Sequence, residues 1–223
     1  MRRLFSFATS FLSFLAAFNV ASLVVFLVSF LATLLLACNN PAYKTDFPES
    51  KSTLKGVQGN TANSIYQLDA TWTNQDGQQI ATKSLAGKTQ VVAMIFTSCG
   101  YACPAIVQNM QHIESGLSAV ARNKTHFTLI SFDTKTDTPE RLRQYATQKN
   151  LGQNWTLLHG DDDAVRVMSM LLSVPYSPSA SGGFNHANII TILDQNGVII
   201  KRMEGLDINT ADAVHVIESA VAD

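Results

Sequence analysis

The chain has 223 residues, of which 46% are hydrophobic and 15% charged, and it carries 16 basic against 17 acidic side chains. Because phosphate recognition needs a basic surface, this balance gives no electrostatic reason to expect a nucleic acid as a partner. Three cysteines are too few for a disulfide framework, and the chain is long enough to bury a hydrophobic core without one.

Residues 1–37 have the pattern of a signal peptide or a membrane anchor. Arg2 and Arg3 form a short basic start, and the chain then carries no charged residue up to position 37. The end of the segment, Leu35-Leu36-Ala37-Cys38, resembles the lipobox of bacterial lipoproteins, in which a peptidase cuts before a cysteine that is then lipidated. The apolar stretch is also long enough to span a bilayer as an uncleaved helix.

Both interpretations of this segment predict the same location for the rest of the chain. The positive end stays in the cytoplasm, so we expect the bulk of the chain in the bacterial cell envelope, membrane-anchored and facing the periplasm or the outside. Residues 38–64 are polar and lack apolar periodicity, which predicts a flexible tether. The folded domain is therefore predicted over residues 65–223.

The predicted domain opens with a β-hairpin. Residues 65–69 and 71–73 alternate apolar with polar side chains, as half-buried strands do. Asn74-Gln75-Asp76-Gly77 is a turn sequence, and it leads into a second alternating segment at residues 78–82.

The rest of the domain alternates strands with helices. Residues 90–96 form a continuous apolar run rich in β-branched side chains, which predicts a central strand buried on both faces. The elements predicted after it are a helix from Pro104 to about residue 121, a strand at 127–132, a helix beginning at Thr138-Pro139-Glu140, a strand at 155–158, a helix from about 162 to 172, a loop at 173–185, a hairpin at 188–193 and 198–202, and a helix at 210–222. Such alternation predicts an α/β fold with a partly parallel sheet, and hairpins at both ends are typical of a thioredoxin-like fold.

Cys99 and Cys103 flank the junction between the predicted central strand and the helix that follows it. Cys103 falls near the predicted helix N-cap, with Pro104 at the first helical position. Free backbone N–H groups and the positive end of the helix dipole favour a thiolate there, and a thiolate is both a nucleophile and a metal ligand. These residues are therefore interpreted as a redox pair, a metal pair, or both in turn.

Several motifs of the domain occur together in one known family. They are similar to those of the Sco/SenC family of copper proteins, in which a histidine just before a late strand completes a Cys₂His copper site. The motifs are Phe96-Thr97-Ser98-Cys99-x-x-x-Cys103-Pro104, Ile130-Ser131-Phe132-Asp133, Asp137-Thr138-Pro139-Glu140, Val174-Pro175-Tyr176, and the region from His186 to Gly197. The resemblance implies that Cys99, Cys103 and His186 bind copper.

The chain departs from the usual family pattern at three positions near the implied site. Gly100 and Tyr101 stand where the family has Pro and Asp, and Asn185 stands where an Asp commonly precedes the histidine. We expect these changes to affect partner docking or copper affinity rather than the fold.

Two function classes remain open for the domain. The resemblance implies a copper chaperone whose partner is the copper subunit of cytochrome c oxidase or another exported cuproenzyme. The alternative is an enzyme, a thiol–disulfide oxidoreductase that uses Cys99 and Cys103 to reduce cysteines of such a target. Two thiolates and an imidazole suit copper, although zinc accepts the same donors. His186 discriminates between the classes, because a reductase needs only the two cysteines.

Overall fold

The computed structural model describes residues 63–180 and 182–222. The predicted anchor at residues 1–37, the predicted lipidation site Cys38 and the tether up to residue 62 lie outside the described residues, so these domain boundaries stay predictions. Within the described ranges, none of the helices combines the length and the apolar character needed to cross a membrane.

The described residues form nine strands and five α-helices. In chain order they are β1 (Thr71–Asn74), β2 (Gln79–Ala81), β3 (Thr89–Ile95), α1 (Ala102–Gly116), α2 (Ala119–Lys124), β4 (Thr125–Ser131), α3 (Pro139–Gln148), β5 (Trp155–His159), α4 (Asp162–Leu171), β6 (Tyr176–Pro178), β7 (Phe184–His186), β8 (Ile189–Leu193), β9 (Ile199–Glu204) and α5 (Thr210–Ala222).

Seven strands form one mixed sheet in the order β2-β1-β5-β4-β3-β8-β9. The three inner strands β3, β4 and β5 run parallel, whereas the β1–β2 and β8–β9 hairpins form the two edges with antiparallel pairing. Every residue of β3 is buried, because this strand lies inside the sheet and its side chains face packed layers on both sides. The predicted α/β fold with hairpins at both ends is confirmed.

The topology brings three separate chain segments to one edge of the sheet. Since β3 and β4 are parallel, with Ile95 opposite Ser131, the residues that follow both strands emerge at the same edge. Strand β8 runs antiparallel to β3, so the residues that precede β8 reach that edge as well. The carboxyl ends of parallel strands are the usual place for a ligand site in α/β folds.

Two predicted elements near the start of the domain and after β3 are wrong. The segment predicted as a strand at 65–69 begins with a 3₁₀ turn at Ile65–Gln67, because the Ser64 side chain accepts a hydrogen bond from the Tyr66 amide. The single helix predicted up to residue 121 is two helices, α1 and α2. Helix α1 ends at Gly116, because glycine is a poor helix former. Ser118 then caps α2 by accepting a hydrogen bond from the Ala121 amide.

The segment predicted as a loop at 173–185 contains a short antiparallel hairpin. Strands β6 and β7 pair Tyr176 with His186 and Pro178 with Phe184. Each strand has only three residues, so the alternation that reveals longer strands does not develop. This hairpin positions His186.

Candidate metal centre

The two cysteines of the predicted pair lie on either side of the start of α1. Cys103 is the second residue of the helix and is fully buried, and Cys99 lies in the preceding turn, partly exposed. The Cys103 amide donates a hydrogen bond to Sγ of Cys99 over 3.4 Å. The helix begins two residues earlier than predicted, so Pro104 is its third residue. The missing N–H of Pro104 costs nothing there, because the first four amides of a helix have no partner within the helix.

His186 reaches the cysteines from the β6–β7 hairpin. Its Nε2 lies 3.6 Å from Sγ of Cys103, and its Nδ1 lies 3.0 Å from the carbonyl oxygen of Ala187. A carbonyl oxygen only accepts hydrogen bonds, so Nδ1 carries the proton and Nε2 presents its lone pair to the sulfur. The imidazole also packs against the ring of Phe132, with 5.1 Å between ring centroids, which holds its orientation.

Cys99, Cys103 and His186 therefore form one cluster. One candidate ligand atom from each residue lies within 4.8 Å of the others. Two sulfurs and an imidazole nitrogen at this spacing suit a soft or borderline metal ion, and the same two sulfurs suit reversible disulfide formation. The structure brings together the three residues that the sequence singled out.

The two thiols differ in acidity. Burial acts to raise the pKa of Cys99, but hydrogen bonds from the backbone amides of Cys103, Tyr101 and Ala102 outweigh it, so this pKa lies below the usual value for a thiol. Deeper burial raises the pKa of Cys103, and the nearby charges of Cys99 and Asp137 act in the same direction. Without metal, Cys99 is the more nucleophilic of the two.

One side of the cluster opens to solvent. Cys99 and His186 line a cleft of about 510 Å³ together with the backbone around Gly100 and the side chain of Phe184. Tyr101 stands at its rim with 81% of its surface exposed. A metal ion or a small ligand can therefore approach Cys99 and His186, while Cys103 lies behind them.

Asp137 is a site residue that the sequence pattern did not reveal. Thr138 caps the helix that follows, whereas Asp137 is completely buried behind the turn that carries Cys99. Its carboxylate accepts hydrogen bonds from the amide and the hydroxyl of Thr97, two residues before Cys99. The only sequence signal for it is its place in the Asp137-Thr138-Pro139-Glu140 motif.

The fold and the cluster define a thioredoxin-like protein with two cysteines and a histidine brought together at the carboxyl edge of its parallel strands. Residues 59–222 match the SCO1/SenC family model. The chain therefore belongs to the SCO1/SenC family, as the sequence motifs predicted.

One curated relative is described by its copper binding. A protein of Stutzerimonas stutzeri whose name describes it as copper-binding is 27% identical over 106 residues, which is 48% of this chain and 51% of that protein. The chain thus spans about half the length of this curated relative.

Two solved structures share the fold. A SCO1/SenC family lipoprotein from Bacillus anthracis str. Ames superimposes with a TM-score of 0.61 at 26% identity, covering 70% of this chain and 97% of that one. ScoI of Bradyrhizobium japonicum, solved with copper bound, gives a TM-score of 0.58 at 21% identity, covering 68% of this chain and 96% of that one.

Proposed function

We propose that this chain is a membrane-tethered, exported copper chaperone that binds copper through Cys99, Cys103 and His186. Its client is the copper subunit of cytochrome c oxidase or another exported cuproenzyme. The observation that carries the proposal is the spacing of the three ligand atoms, all within 4.8 Å of one another.

The chemistry of the donors supports copper as the cargo. Thiolates select soft ions such as Cu(I), and imidazole binds copper in either common oxidation state. The Ala187 carbonyl fixes the tautomer of His186 that leaves Nε2 free for a metal, which is the way outer contacts orient histidine ligands. The B. japonicum relative was solved with copper bound, and the S. stutzeri relative is named for copper binding.

The openness of the centre supports transfer rather than permanent storage. Three protein ligands leave a copper ion accessible from the cleft beside Cys99 and His186. A client ligand can enter there and replace the protein donors one at a time. Tyr101, exposed at the rim, is positioned to contact the client during that exchange.

The membrane tether is proposed from the sequence. Residues 1–37 serve as the signal or anchor and Cys38 as the lipidated residue, and the polar segment 38–64 lets the domain reach clients near the membrane surface. A B. anthracis member of the family is described as a lipoprotein, which supports this arrangement.

A thiol–disulfide oxidoreductase is the second candidate, favoured by the difference between the two thiols. The Cys99 thiolate attacks a client disulfide and forms a mixed disulfide, releasing one client sulfur as a thiolate. The sulfur of Cys103 then attacks Cys99 and gives up its proton, and the second client sulfur leaves as a thiol. The client gains two electrons, and the chain ends as the Cys99–Cys103 disulfide.

Copper loading tests the proposal. The reduced full-length chain in detergent is mixed with Cu(I) or Cu(II), and the stoichiometry and absorption spectrum are measured. Parallel samples carry Cys99→Ser, Cys103→Ser or His186→Ala, with His112→Ala, an exposed histidine on α1, as the matched control. We expect one tightly bound copper in the parent and the control and its loss in the three site variants. A parent that retains no copper but exchanges disulfides rapidly would favour the oxidoreductase.

A further inference from the structure

Asp137 holds a carboxylate in the interior of the protein, directly behind the turn that carries Cys99. Its side chain has 0% of its surface exposed. We propose that Asp137 is a positioning residue that fixes this turn, so that Cys99 stays within reach of Cys103 and His186 before a metal arrives. The copper readout of this proposal rests on the proposed function.

The carboxylate binds the residue two positions before Cys99 through two separate groups. The Thr97 amide donates to Oδ2 of Asp137 over 2.8 Å, and the Thr97 hydroxyl donates to Oδ1 over 2.5 Å. Two hydrogen bonds to one residue fix both its position and its rotation. Between Thr97 and Cys99 only Ser98 intervenes, so a shift of Thr97 is passed on to the Cys99 sulfur.

The same carboxylate is attached to the sheet on its other side. The hydroxyl of Ser131, the last residue of β4, donates to Oδ2 of Asp137 over 2.6 Å. Ser131 lies opposite Ile95, the last residue of β3, in the parallel ladder. Asp137 therefore connects the segment after β3 to the end of β4, beyond the last pair of the two strands.

Arg141 completes the network and balances its charge. The Nε of Arg141 donates to the Thr97 hydroxyl oxygen over 2.8 Å and lies 3.7 Å from Oδ1 of Asp137. Burying a carboxylate is unfavourable unless it is paired and hydrogen-bonded, and here three donors and a guanidinium meet both requirements. A fully satisfied buried network of this kind favours one geometry over its neighbours.

Further hydrogen bonds, from the amides of Tyr101, Ala102 and Cys103 to Sγ of Cys99, hold the turn to the start of α1. The Cys99 amide donates to the Phe96 carbonyl oxygen over 3.2 Å, which closes the turn on itself without attaching it to β4. Removing the carboxylate would leave the Thr97 amide and the Ser131 hydroxyl without their acceptor. The turn would then sample several positions, and each copper-binding event would have to select the productive one.

The test compares three variants with a matched control in the full-length chain. Asp137→Ala removes the whole anchor, Asp137→Asn keeps an acceptor without the charge, and Thr97→Val removes only the hydroxyl contact. Asp161→Ala is the control, because Asp161 caps α4 by accepting from the Ala164 amide over 2.7 Å and takes no part in the hydrogen bonds of Thr97 with Asp137 and Arg141. Three quantities are measured: Cu(I) affinity by chelator competition, the dithiol–disulfide equilibrium of the copper-free chain, and resistance to urea.

We expect Asp137→Ala to weaken Cu(I) binding by about tenfold or more, because the loss of a group that orients metal ligands typically lowers metal affinity by such a factor. Asp137→Asn should recover part of this loss, and Thr97→Val should shift the affinity in the same direction by a smaller factor. Asp161→Ala should lower the resistance to urea without changing the copper affinity. The dithiol–disulfide equilibrium should move in the Asp137 variants and stay unchanged in the control.

Three outcomes would overturn the positioning role. One is a folded Asp137→Ala chain that binds Cu(I) as tightly as the parent. Another is an equal loss of affinity in Asp161→Ala, which would make the effect one of general stability. The third outcome applies if Asp137→Ala does not fold, and it is an unchanged copper affinity in both Thr97→Val and Asp137→Asn. If the parent itself binds no copper, the proposed function fails, and the dithiol–disulfide equilibrium alone decides the role of Asp137.

Discussion

Sγ of Cys103 lies 3.6 Å from Nε2 of His186, although 83 positions separate the two residues in the chain. The sheet accounts for this contact. Cys103 belongs to the helix that starts at the carboxyl end of β3, and His186 lies three residues before β8. Because β8 pairs antiparallel with β3, the start of one strand lies beside the end of the other. The centre therefore depends on the β3–β8 pairing, and it assembles only when the domain is folded.

Replacing His186 should separate metal binding from thiol chemistry. We expect His186→Ala to abolish tight copper binding, because two sulfurs alone leave the centre without its third ligand. Disulfide formation between Cys99 and Cys103 should persist, since the two sulfurs are held by α1 and its preceding turn rather than by the histidine. Copper stoichiometry and free-thiol titration after mild oxidation measure the two properties. Copper binding by reduced His186→Ala as tight as in the parent would exclude the three-ligand site.

The two thiols should react in a fixed order with an alkylating reagent. The thiolate is the reactive form, and the pKa of Cys99 lies below the usual thiol value, whereas burial raises that of Cys103. In the reduced, copper-free chain near neutral pH, iodoacetamide should therefore modify Cys99 first. Its rate should rise with pH and level off at a lower pH than the rate of glutathione does.

Peptide mass spectrometry after short labelling times identifies the residue that has reacted. Cys103→Ser is the matched variant, because it leaves Cys99 as the only thiol of the cluster that Cys99 and Cys103 form with His186. Initial labelling at Cys103, or a plateau at the same pH as glutathione, would contradict the assignment of Cys99 as the nucleophile.

The parts of the fold that the sequence predicted are those with strong local signals. The continuous apolar run in β3 and the acidic start of α4 identify their elements without reference to the rest of the chain. Cys99 and Cys103 could be placed for the same reason, because the junction between a strand and a helix is a local feature.

The parts that the sequence did not predict depend on distant contacts. The β6–β7 hairpin is formed by three-residue strands whose pairing follows from the packing of Tyr176 and Phe184 against Phe132. The role of Asp137 depends on the register between β3 and β4, which brings Thr97 and Ser131 to the same carboxylate. Neither the hairpin pairing nor the role of Asp137 produces a recognisable pattern within a short stretch of sequence. His186 was identified only through the resemblance to a family.

The turn of the β6–β7 hairpin should control the position of His186. Gly183 has a φ of 73°, and a Cβ atom there would lie 2.9 Å from Cε2 of Phe96. Gly182 has a φ of 90° but no atom within 4 Å of such a Cβ. Both Gly→Ala changes therefore introduce backbone strain of about 1 kcal/mol, while only Gly183→Ala displaces the hairpin from Phe96.

We expect each variant to lose about 1 kcal/mol of free energy of unfolding from the strained backbone, and Gly183→Ala to lose a further amount from the contact with Phe96. Copper affinity should fall several-fold in Gly183→Ala and stay close to the parent value in Gly182→Ala. Urea unfolding and Cu(I) competition measure the two quantities. Equal copper affinities in the two variants would show that His186 does not depend on the seating of the hairpin against Phe96.

His126 should make the stability of the copper-free domain depend on pH. Burial, together with the nearby charge of Lys88, lowers the pKa of His126 to about 4 in the folded chain, whereas an unfolded histidine titrates near pH 6.5. Its Nε2 lies 2.8 Å from the hydroxyl of Thr156, a contact that suits the neutral ring. Between these two pKa values the unfolded chain binds a proton that the folded chain does not, so the free energy of unfolding falls as the pH is lowered. The contribution of this group is complete above pH 7 and decreases by roughly 3 kcal/mol on the way to pH 4.

The measurement is urea unfolding of the reduced chain at a series of pH values, for the parent and for His126→Gln. Other carboxylates titrate over part of the same range, so the informative quantity is the difference between the two curves. Glutamine does not ionise, and the parent should therefore lose stability relative to His126→Gln as the pH falls below about 6.5. Parallel curves from pH 7 to pH 4 would mean that His126 is protonated equally in the folded and unfolded chains, and that burial against β5 leaves its pKa at the ordinary value.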